Sequence, residues 1–298
     1  MNLFLQNKIL KISLNGGLGN QMFQYAFGRS LSLRLGSELS LDISRFERDH
    51  FYRRSYELGV FNLPRNIKLS NNKILSLIAW KINSFACKNI VTGKIYGKKI
   101  IIEGNPDEFL KRFSCVDAPG YVAGYWQNEN YFINFKKIIK RDFEISAELS
   151  ESTKELAKII QSAEHPVSIH VRRNHEKLFN DTTENNNKKI TINLDYYKKS
   201  ISIISKKFSN PTFFIFSDNQ EWARKNLSFI SNAKFVDSTG RPGFEDLYLM
   251  TRCLHHIIAN SSFSWWGAWL SINDGKQIVI APKNVIYTPP IPSAWIAI

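Results

Sequence analysis

The segment ILKISLNGGLGNQMFQYAFGRSLSLRLG, residues 9–36, changes from a strand pattern to a helical pattern across a turn rich in glycine. Residues 9–14 have the apolar, β-branched character of a short buried strand. Residues 22–35 place apolar side chains at helical spacing, and Gly36 is a natural residue to end that helix. The segment therefore predicts a β-strand, a tight turn and an α-helix, which is the first unit of an α/β domain.

The turn itself offers groups that a polar ligand can use. Gly16, Gly17 and Gly19 can take positive φ and let a ligand approach backbone N–H groups, while Asn20 and Gln21 add side-chain amides at the start of the helix. The alternative is a glycine-rich turn with no ligand. The spacing is not the dinucleotide fingerprint, because a methionine stands where the third glycine belongs, and the turn lacks the lysine of a phosphate-binding P-loop.

Three further motifs follow along the chain: SIHVRR at 168–173, FIFSD at 214–218 and NSSFSWWGAWL at 260–270. Together with GGLGNQMFQYAFGRSLS at 16–32, they resemble in the same order the motifs of the bacterial family 11 glycosyltransferases, the α-1,2-fucosyltransferases. The resemblance implies a GT-B-like α/β fold, in which two Rossmann-like α/β domains face a central cleft. It also implies GDP-fucose as the donor and inversion at the anomeric carbon.

The implied activity is that of a galactoside 2-α-L-fucosyltransferase. Fucose would pass to the 2-hydroxyl of a β-galactoside, carried by a galactose-terminated oligosaccharide or a lipid-linked glycan in glycan or O-antigen assembly. One alternative is another GDP-sugar glycosyltransferase with a different donor or linkage. A more distant alternative is a non-enzymatic basic protein that binds RNA or an anionic glycan.

Length and composition agree with two globular domains. The chain has 298 residues, 43% hydrophobic and 13% aromatic, which suffices for two cores. We expect an N-terminal α/β domain on the acceptor side over residues 1–150 and a Rossmann-like GDP-sugar-binding domain over residues 151–298. Three widely spaced cysteines, Cys87, Cys115 and Cys253, are typical of reduced thiols in a cytosolic protein.

The charge and the N-terminus limit the partners and the location. A formal net charge of +14 indicates an anionic partner, such as nucleotide phosphates, an anionic membrane surface or nucleic acid. No nucleic-acid-binding motif accompanies the charge, so we expect no nucleic-acid partner. The first residues are too short and too interrupted by lysine for a membrane span or signal peptide. We expect a cytoplasmic protein with possible peripheral contact at the inner membrane surface.

The alternation of strands and helices predicts where ligands bind. In the second half, the predicted strands are 166–171, 212–216, 255–259 and 277–281, and the predicted helices are 195–208, 218–227, 244–252 and 264–270. In the first half, further strands are expected at 38–43, 98–103 and near 120–131. A basic helical stretch at 136–156 is expected to connect the two halves. In the second half, the polar segment 179–189 is expected to form a mobile excursion near the edge of the sheet. Because parallel sheets bind ligands at the carboxyl ends of their strands, we expect the last three motifs to share one site.

Arg172 and Arg173 leave a strand in alternating directions, so one of them can face a ligand. A guanidinium matches phosphate oxygens bidentately and can stabilise the charge on a departing nucleotide diphosphate. The alternative is a structural pair bound to a carboxylate. The resemblance makes Arg172 the pyrophosphate ligand, with His170 lining the same site. The usual HxRRxD pattern is broken, because His175 occupies the aspartate position and Glu176 follows it.

A second phosphate site is predicted at residues 261–264. Ser261, Ser262 and Ser264 precede a helix expected to start near Trp265, where hydroxyls and free N–H groups favour an anion. Simple serine N-capping is the alternative, and the aromatic residues there are more often core. The resemblance favours donor contact by Ser262 and Phe263.

The remaining polar candidates are carboxylates and histidines. Asp218 can cap the next helix together with Glu221, or accept hydrogen bonds from guanine. The sequence has no Asp-x-Asp pair to hold a metal against the diphosphate, so we expect no metal and no other cofactor. The general base is open among His175, Glu176 and Asp42. The candidates for donor binding are Gly17, Gly19, Asn20, Gln21, His170, Arg172, Asp218, Ser261, Ser262 and Phe263, and those for catalysis are Arg172, His170, His175 and Glu176.

Overall fold

The chain divides into two compact units, Met1–Ala147 and Glu148–Ile298. The boundary lies close to residue 150, where the sequence changes from a basic helical stretch to regular α/β alternation. The computed structural model describes residues 9–50, 52–85, 91–95, 98–103, 120–173, 192–283 and 289–298.

The first unit is built on a six-stranded sheet in the order β3-β2-β1-β6-β5-β4. All neighbours in it are parallel except β4 and β5. Its strands are β1 (Ile9–Ser13), β2 (Glu38–Asp42), β3 (Lys68–Ser70), β4 (Val91–Ile95), β5 (Lys98–Ile102) and β6 (Tyr121–Ala123). Its helices are α1 (Leu18–Leu35), α2 (Lys73–Phe85) and α3 (Lys136–Asp142).

Helix α1 is the buried helix of this unit, and it begins earlier than the apolar spacing predicts. It starts at Leu18, directly after Gly17 (φ −79°), so Gly19 lies inside the helix. Of the three glycines in the turn, Gly16 alone has a positive φ, at 75°. The turn therefore uses the special freedom of glycine at one position. Gly36, in the left-handed region at φ 58°, ends the helix as predicted.

Aromatic packing and one buried acid fix α1 against the rest of the first unit. The Phe27 ring stacks on the Trp126 ring with centroids 3.9 Å apart. Helix α1 is also bound to α3, where Asp142 accepts hydrogen bonds from Tyr25 Oη (2.8 Å) and Arg29 Nε (3.0 Å). Burial first, and then the Asp142 charge, raise the pKa of Tyr25, so the phenol keeps its proton and remains a donor.

The second unit contains a six-stranded parallel sheet in the order β12-β11-β10-β7-β8-β9. Its strands are β7 (Pro166–Val171), β8 (Thr212–Ser217), β9 (Ala233–Phe235), β10 (His255–Ile257), β11 (Val279–Ala281) and β12 (Ile296–Ala297). Its helices are α4 (Glu151–Ser162), α5 (Leu194–Lys207), α6 (Gln220–Leu227), α7 (Gly243–Arg252) and α8 (Ser262–Trp269).

Strand β8 shows why both faces of this sheet are covered. Phe213 and Ile215 point into a core with α5 and α6, whereas Phe214 and Phe216 point into a second core with α4 and α7. Successive side chains of a strand face opposite sides, so a fully apolar strand needs helices on both faces. The predicted parallel sheet with helices on both sides is confirmed.

Three sequence expectations differ from the structure or lie outside it. The expected helical connection at 136–156 is two separate helices, α3 and α4, because Ser150 caps α4 through its side chain. Strands β3, β4, β9 and β12 and helix α2 were not predicted. The expected excursion at 179–189, together with Cys87 and Cys115, lies outside the described residues.

Cys253 is a buried thiol, and its burial raises its pKa, as expected for a reduced core cysteine. Within the described ranges, no helix has both the length and the apolar character needed to cross a bilayer.

Candidate functional site

The carboxyl ends of three neighbouring strands bring the predicted residues of the second unit to one sheet edge. Strand β7 ends at Val171 and β8 at Ser217, while β10 leads into the turn before α8. In the sheet, β7 lies between β10 and β8. The same edge therefore carries His170 and Arg172 at the end of β7, Asp218 after β8 and the 261–263 segment after β10. This is the edge at which α/β sheets bind ligands.

Arg172 and Asp218 make the main polar contact at this edge. Arg172 Nε lies 3.2 Å from Asp218 Oδ2, and the two side chains are 28% and 13% exposed. The backbone N–H of Arg173 donates to the other oxygen, Asp218 Oδ1, at 2.8 Å. Because the carboxylate holds Arg172 through Nε, the guanidinium is oriented while keeping part of its donor fork exposed.

Arg173 points elsewhere, as the alternation of side chains along a strand requires. Its guanidinium lies 4.2 Å from the centroid of the Trp222 ring, and its Nη1 donates to the Ile192 carbonyl at 3.2 Å. These contacts tie the end of β7 to α6 and to the residue before α5. The two arginines of the RR motif therefore have different surroundings, and those of Arg173 are structural.

His170 is a buried, neutral imidazole beside Arg172. Burial is the largest cause that lowers its pKa, to about 4; the Arg172 charge lowers it further, and Asp218 opposes the shift. Its ring centroid lies 5.8 Å from that of Phe263, which joins the end of β7 to the start of α8. Within the described part of the chain, His170 Nδ1 has no hydrogen-bond partner although it is buried. A buried polar atom in this state calls for an explanation, such as strain, a catalytic role or a bound water or ion.

The serine segment forms a helix N-terminus, but the helix starts earlier than expected. Helix α8 begins at Ser262, and Ser261 is the N-cap residue, with its Oγ accepting from the Phe263 N–H at 3.3 Å. Ser264 lies inside the helix, where its Oγ accepts from the Ala259 N–H at 3.2 Å. Ser264 is therefore structural. The N-terminus of α8 favours an anion through its dipole and its first N–H groups.

The expected capping role of Asp218 is wrong. Helix α6 begins at Gln220, and Asn219 is its N-cap, accepting from the Trp222 N–H at 2.9 Å. The cap position is therefore one residue later than expected, at Asn219. Asp218 is instead committed to the two arginines of the RR motif, Arg172 and Arg173.

In the first unit, Gln21 is a structural bridge. Its Nε2 donates to the Gly16 carbonyl at 2.9 Å and to the Ser55 carbonyl at 2.8 Å, while its Oε1 accepts from the Glu57 N–H at 2.9 Å. The side chain is fully buried. Because both donors and an acceptor are in use, Gln21 holds the 55–57 segment against the turn.

The rest of the glycine turn has a more open environment. Asn20 Oδ1 accepts from Gln127 Nε2 at 2.9 Å. A Cβ placed on Gly17 would lie 3.6 Å from the Arg54 guanidinium carbon, so this arginine covers the turn. Gly19 is buried in the first turn of α1.

Asp42 is a structural carboxylate. It is fully buried, and its oxygens accept from Tyr121 Oη (2.6 Å), the Ser44 N–H (3.0 Å) and the Asn72 N–H (3.0 Å). These bonds join β6 and the segments after β2 and β3. Since both oxygens are occupied, the geometry removes Asp42 from the candidates for the general base. His175 and Glu176, the other two candidates, lie outside the described residues.

Several residues that support the site carry no local sequence signal. Tyr197 Oη donates to the His170 carbonyl at 3.2 Å. Gln24 accepts from the Asn15 N–H at 3.0 Å and donates to the Gly124 carbonyl at 3.2 Å, which links the glycine turn to the end of β6. In the sequence both are ordinary members of amphipathic helices, and only the apolar context of Gln24 marks it as unusual.

Comparison with known proteins places these features in a family. The family model for Glycosyl transferase family 11 matches residues 67–289, more than half of the chain. The match includes the three motifs at 168–173, 214–218 and 260–270 and excludes the glycine turn. In fold, the chain resembles the crystal structure of fucosyltransferase NodZ from Bradyrhizobium, a GT-B protein, with a TM-score of 0.53 and 14% identity over 89% of this chain and 94% of that one.

Sequence relatives extend over the whole length. The chain is 32% identical to an alpha-1,2-colitosyltransferase of Escherichia coli, over 97% of this chain and 99% of the relative. It is 32% identical to the O-antigen biosynthesis glycosyltransferase WbnK of Escherichia coli, over 91% and 93%. Rat galactoside alpha-(1,2)-fucosyltransferase 1 is 24% identical over 56% of this chain and 46% of that enzyme. The chain belongs to glycosyl transferase family 11, as its motifs and its α/β fold predict.

Proposed function

We propose that the protein transfers fucose from GDP-fucose to the 2-hydroxyl of a β-galactoside, with inversion and without a metal ion. The observation that carries the proposal is the Arg172–Asp218 contact at the carboxyl edge of the second sheet. A guanidinium held there from one side is suited to bind the diphosphate of a nucleotide sugar. The α-1,2 linkage and the galactoside acceptor are supported by the names of the relatives.

The proposed reaction needs stabilisation of the leaving group. As the bond between C1 of the sugar and the β-phosphate oxygen breaks, negative charge grows on GDP. Arg172 supplies a permanent positive charge, and the N-terminus of α8 adds N–H groups and a favourable dipole. These groups take the neutralising role that a divalent ion has in other transferases. Most of the rate enhancement then comes from positioning and from charge stabilisation.

His170, Ser262 and Phe263 complete the proposed donor site. The neutral His170 ring lies beside Arg172 and adds no charge to the proposed donor site. Phe263 lies against His170 and supplies apolar surface. Asp218 serves the donor indirectly, by orienting Arg172.

The test is GDP release from GDP-fucose, with and without lactose, in EDTA, followed by determination of the product linkage. Acceptor-stimulated release with an α-1,2-linked fucose product is the expected result. Binding of GDP without transfer to any galactoside would contradict the acceptor assignment. Activity that disappears in EDTA and returns with a divalent ion would contradict metal independence.

A second candidate donor is suggested by the colitosyltransferase relative. Colitose is fucose without its 3-hydroxyl group. A site that hydrogen-bonds this hydroxyl discriminates strongly against the deoxy sugar, whereas an apolar site accepts both. The ratio of kcat/KM for GDP-fucose and GDP-colitose, measured with one acceptor, decides between the two donors.

A further inference from the structure

Helices α5 and α6, which cover one side of the sheet in the second unit, concentrate positive charge. Together they contain six basic and two acidic residues. Helices α4 and α7 cover the opposite side of the same sheet and contain three basic and four acidic residues. Among these four helices, the excess of positive charge therefore lies on one side of the sheet.

Helix stability accounts for only part of this charge. Four of the six basic residues lie in the last turn of α5 or of α6, where a cation interacts favourably with the helix dipole. The other two, Lys198 and Lys199, lie in the second turn of α5, where the dipole gives a cation no such benefit. Both side chains are exposed. Their charge is therefore not explained by the needs of the helix.

Exposed apolar surface lies beside these two lysines. The side chain of Phe229, in the segment after α6, is 49% exposed, and Lys198 Nζ lies 6.0 Å from the centroid of its ring. An open groove of about 440 Å³ also borders α5, and its surface is almost entirely apolar. The groove is lined by Lys198, Lys199, Ser202, Ile203 and Ile298. Both lysines therefore combine a charged head with apolar neighbours that are open to solvent.

This combination matches the interface of an anionic bilayer. Lipid phosphates attract lysine, whose aliphatic stem can lie along apolar surface while its ammonium group stays at the headgroup level. Aromatic and aliphatic side chains next to such lysines enter the boundary between headgroups and acyl chains. A nucleic acid also offers phosphates, but contacts with its backbone are polar and leave an apolar groove unused. The apolar neighbours therefore favour a lipid surface over a nucleic acid.

We propose that the outer face of α5 and α6 binds the surface of an anionic bilayer. Lys198 and Lys199 contact lipid phosphates, and Phe229 enters the headgroup region beside them. The binding is reversible, because it uses surface charge and one aromatic anchor. This inference goes beyond the proposed function and does not depend on it. For a transferase with a lipid-linked acceptor, such binding raises the local concentration of that acceptor.

The test is co-sedimentation of the full chain with vesicles of phosphatidylcholine, alone or mixed with phosphatidylglycerol. We expect binding to the mixed vesicles that weakens as the salt concentration rises, and little binding to phosphatidylcholine alone. Replacing Lys198 and Lys199 together by glutamine should lower the affinity for mixed vesicles about 30-fold, or about fivefold for each lysine. Phe229→Ala should cause a further loss that depends little on salt, because it removes apolar contact.

The matched control replaces Lys154 and Lys158 together by glutamine. Both lie on α4, on the opposite side of the sheet, so the net charge falls by the same amount as in the test variant. Lys154 is bound to Glu151 at the surface, and loss of such a pair has little effect on stability. Vesicle binding by this control should equal that of the wild type. Thermal midpoints should be the same for the wild type and all variants.

Three results overturn the proposal. The first is wild-type protein that does not bind the mixed vesicles. The second is an equal loss of binding in the control, which would assign the effect to net charge and not to this face. The third is homopolymeric RNA that displaces the protein from the vesicles and itself binds through Lys198 and Lys199, which would make the face a nucleic-acid site. Transfer to lactose, a soluble acceptor, is measured separately, so failure of the proposed function is distinguished from failure of this inference.

Discussion

Arg172 Nε and Asp218 Oδ2 lie 3.2 Å apart at the ends of two adjacent parallel strands. The second oxygen of the same carboxylate accepts from the backbone N–H of Arg173 at 2.8 Å. One acid therefore fixes both the position of the β7 end and the orientation of the arginine that follows it. Arg173, in contrast, uses its side chain on Trp222 and on the Ile192 carbonyl. This difference separates a predicted catalytic role from a structural one.

Replacement of each arginine by alanine should show that separation. Arg172→Ala should lower kcat by at least about 10²- to 10³-fold, with little change in thermal midpoint, because it removes charge from the leaving-group site. Arg173→Ala should lower the thermal midpoint instead, since it removes the contact with the Trp222 ring and a hydrogen bond. Steady-state kinetics and calorimetry on both variants make the comparison. An Arg172→Ala enzyme with near-normal turnover would refute the role assigned to Arg172.

Substitutions at two glycines should separate backbone strain from steric conflict. Gly16 (φ +75°) and Gly36 (φ +58°) both lie in the left-handed region. A Cβ on Gly36 meets nothing within 4 Å, whereas one on Gly16 comes within 2.7 Å of Asn20 Nδ2. Gly36→Ala should cost about 1–2 kcal/mol of unfolding free energy from strain, and Gly16→Ala should cost more. Urea denaturation of both variants tests this order, and equal losses would contradict it.

Three buried histidines should make the protein sensitive to mild acid. The pKa is lowered mainly by burial, from 6.5 to about 4 for His170 and His255 and to about 3 for His256. Between pH 6.5 and the folded pKa, the unfolded chain binds more protons, so stability falls as pH falls through this window.

Denaturation curves at pH 7 and pH 5 measure this loss of stability in acid. His256 Nδ1 lies 2.8 Å from Ser168 Oγ inside the sheet, so His256→Asn keeps a polar partner and removes one titrating group. The difference in unfolding free energy between the two pH values should then be smaller than in the wild type. An unchanged difference would show that His256 does not contribute to the acid sensitivity.

Glu245 should be important for stability. This buried acid of α7 accepts from the Ser150 N–H (2.8 Å), Ser150 Oγ (2.7 Å) and Thr153 Oγ1 (2.6 Å) at the start of α4. Glu245→Gln removes the charge and turns an amide N–H group towards these donors. We therefore expect the free energy of unfolding to fall by about 1–3 kcal/mol. The exposed variant Glu221→Gln on α6 is the control. Equal thermal midpoints for the two variants would contradict the prediction.

The motifs and their order could be predicted because each is local. Strand and helix periodicity placed most elements, and the parallel sheet of the second unit followed from the alternation. Errors occurred where a single side chain decides a boundary. Ser261 starts α8 early, Asn219 takes the cap position expected for Asp218, and Ser150 separates α3 from α4.

The sequence by itself determined the family, the α/β class and the carboxyl-edge location of the RR, FIFSD and serine motifs, because these depend on local pattern and chain order. The tertiary structure decided which polar side chains are already used. Gln21 and Asp42 are occupied by partners from distant segments of the first unit. Such roles depend on hydrogen bonds between residues far apart in sequence, which no local spacing encodes.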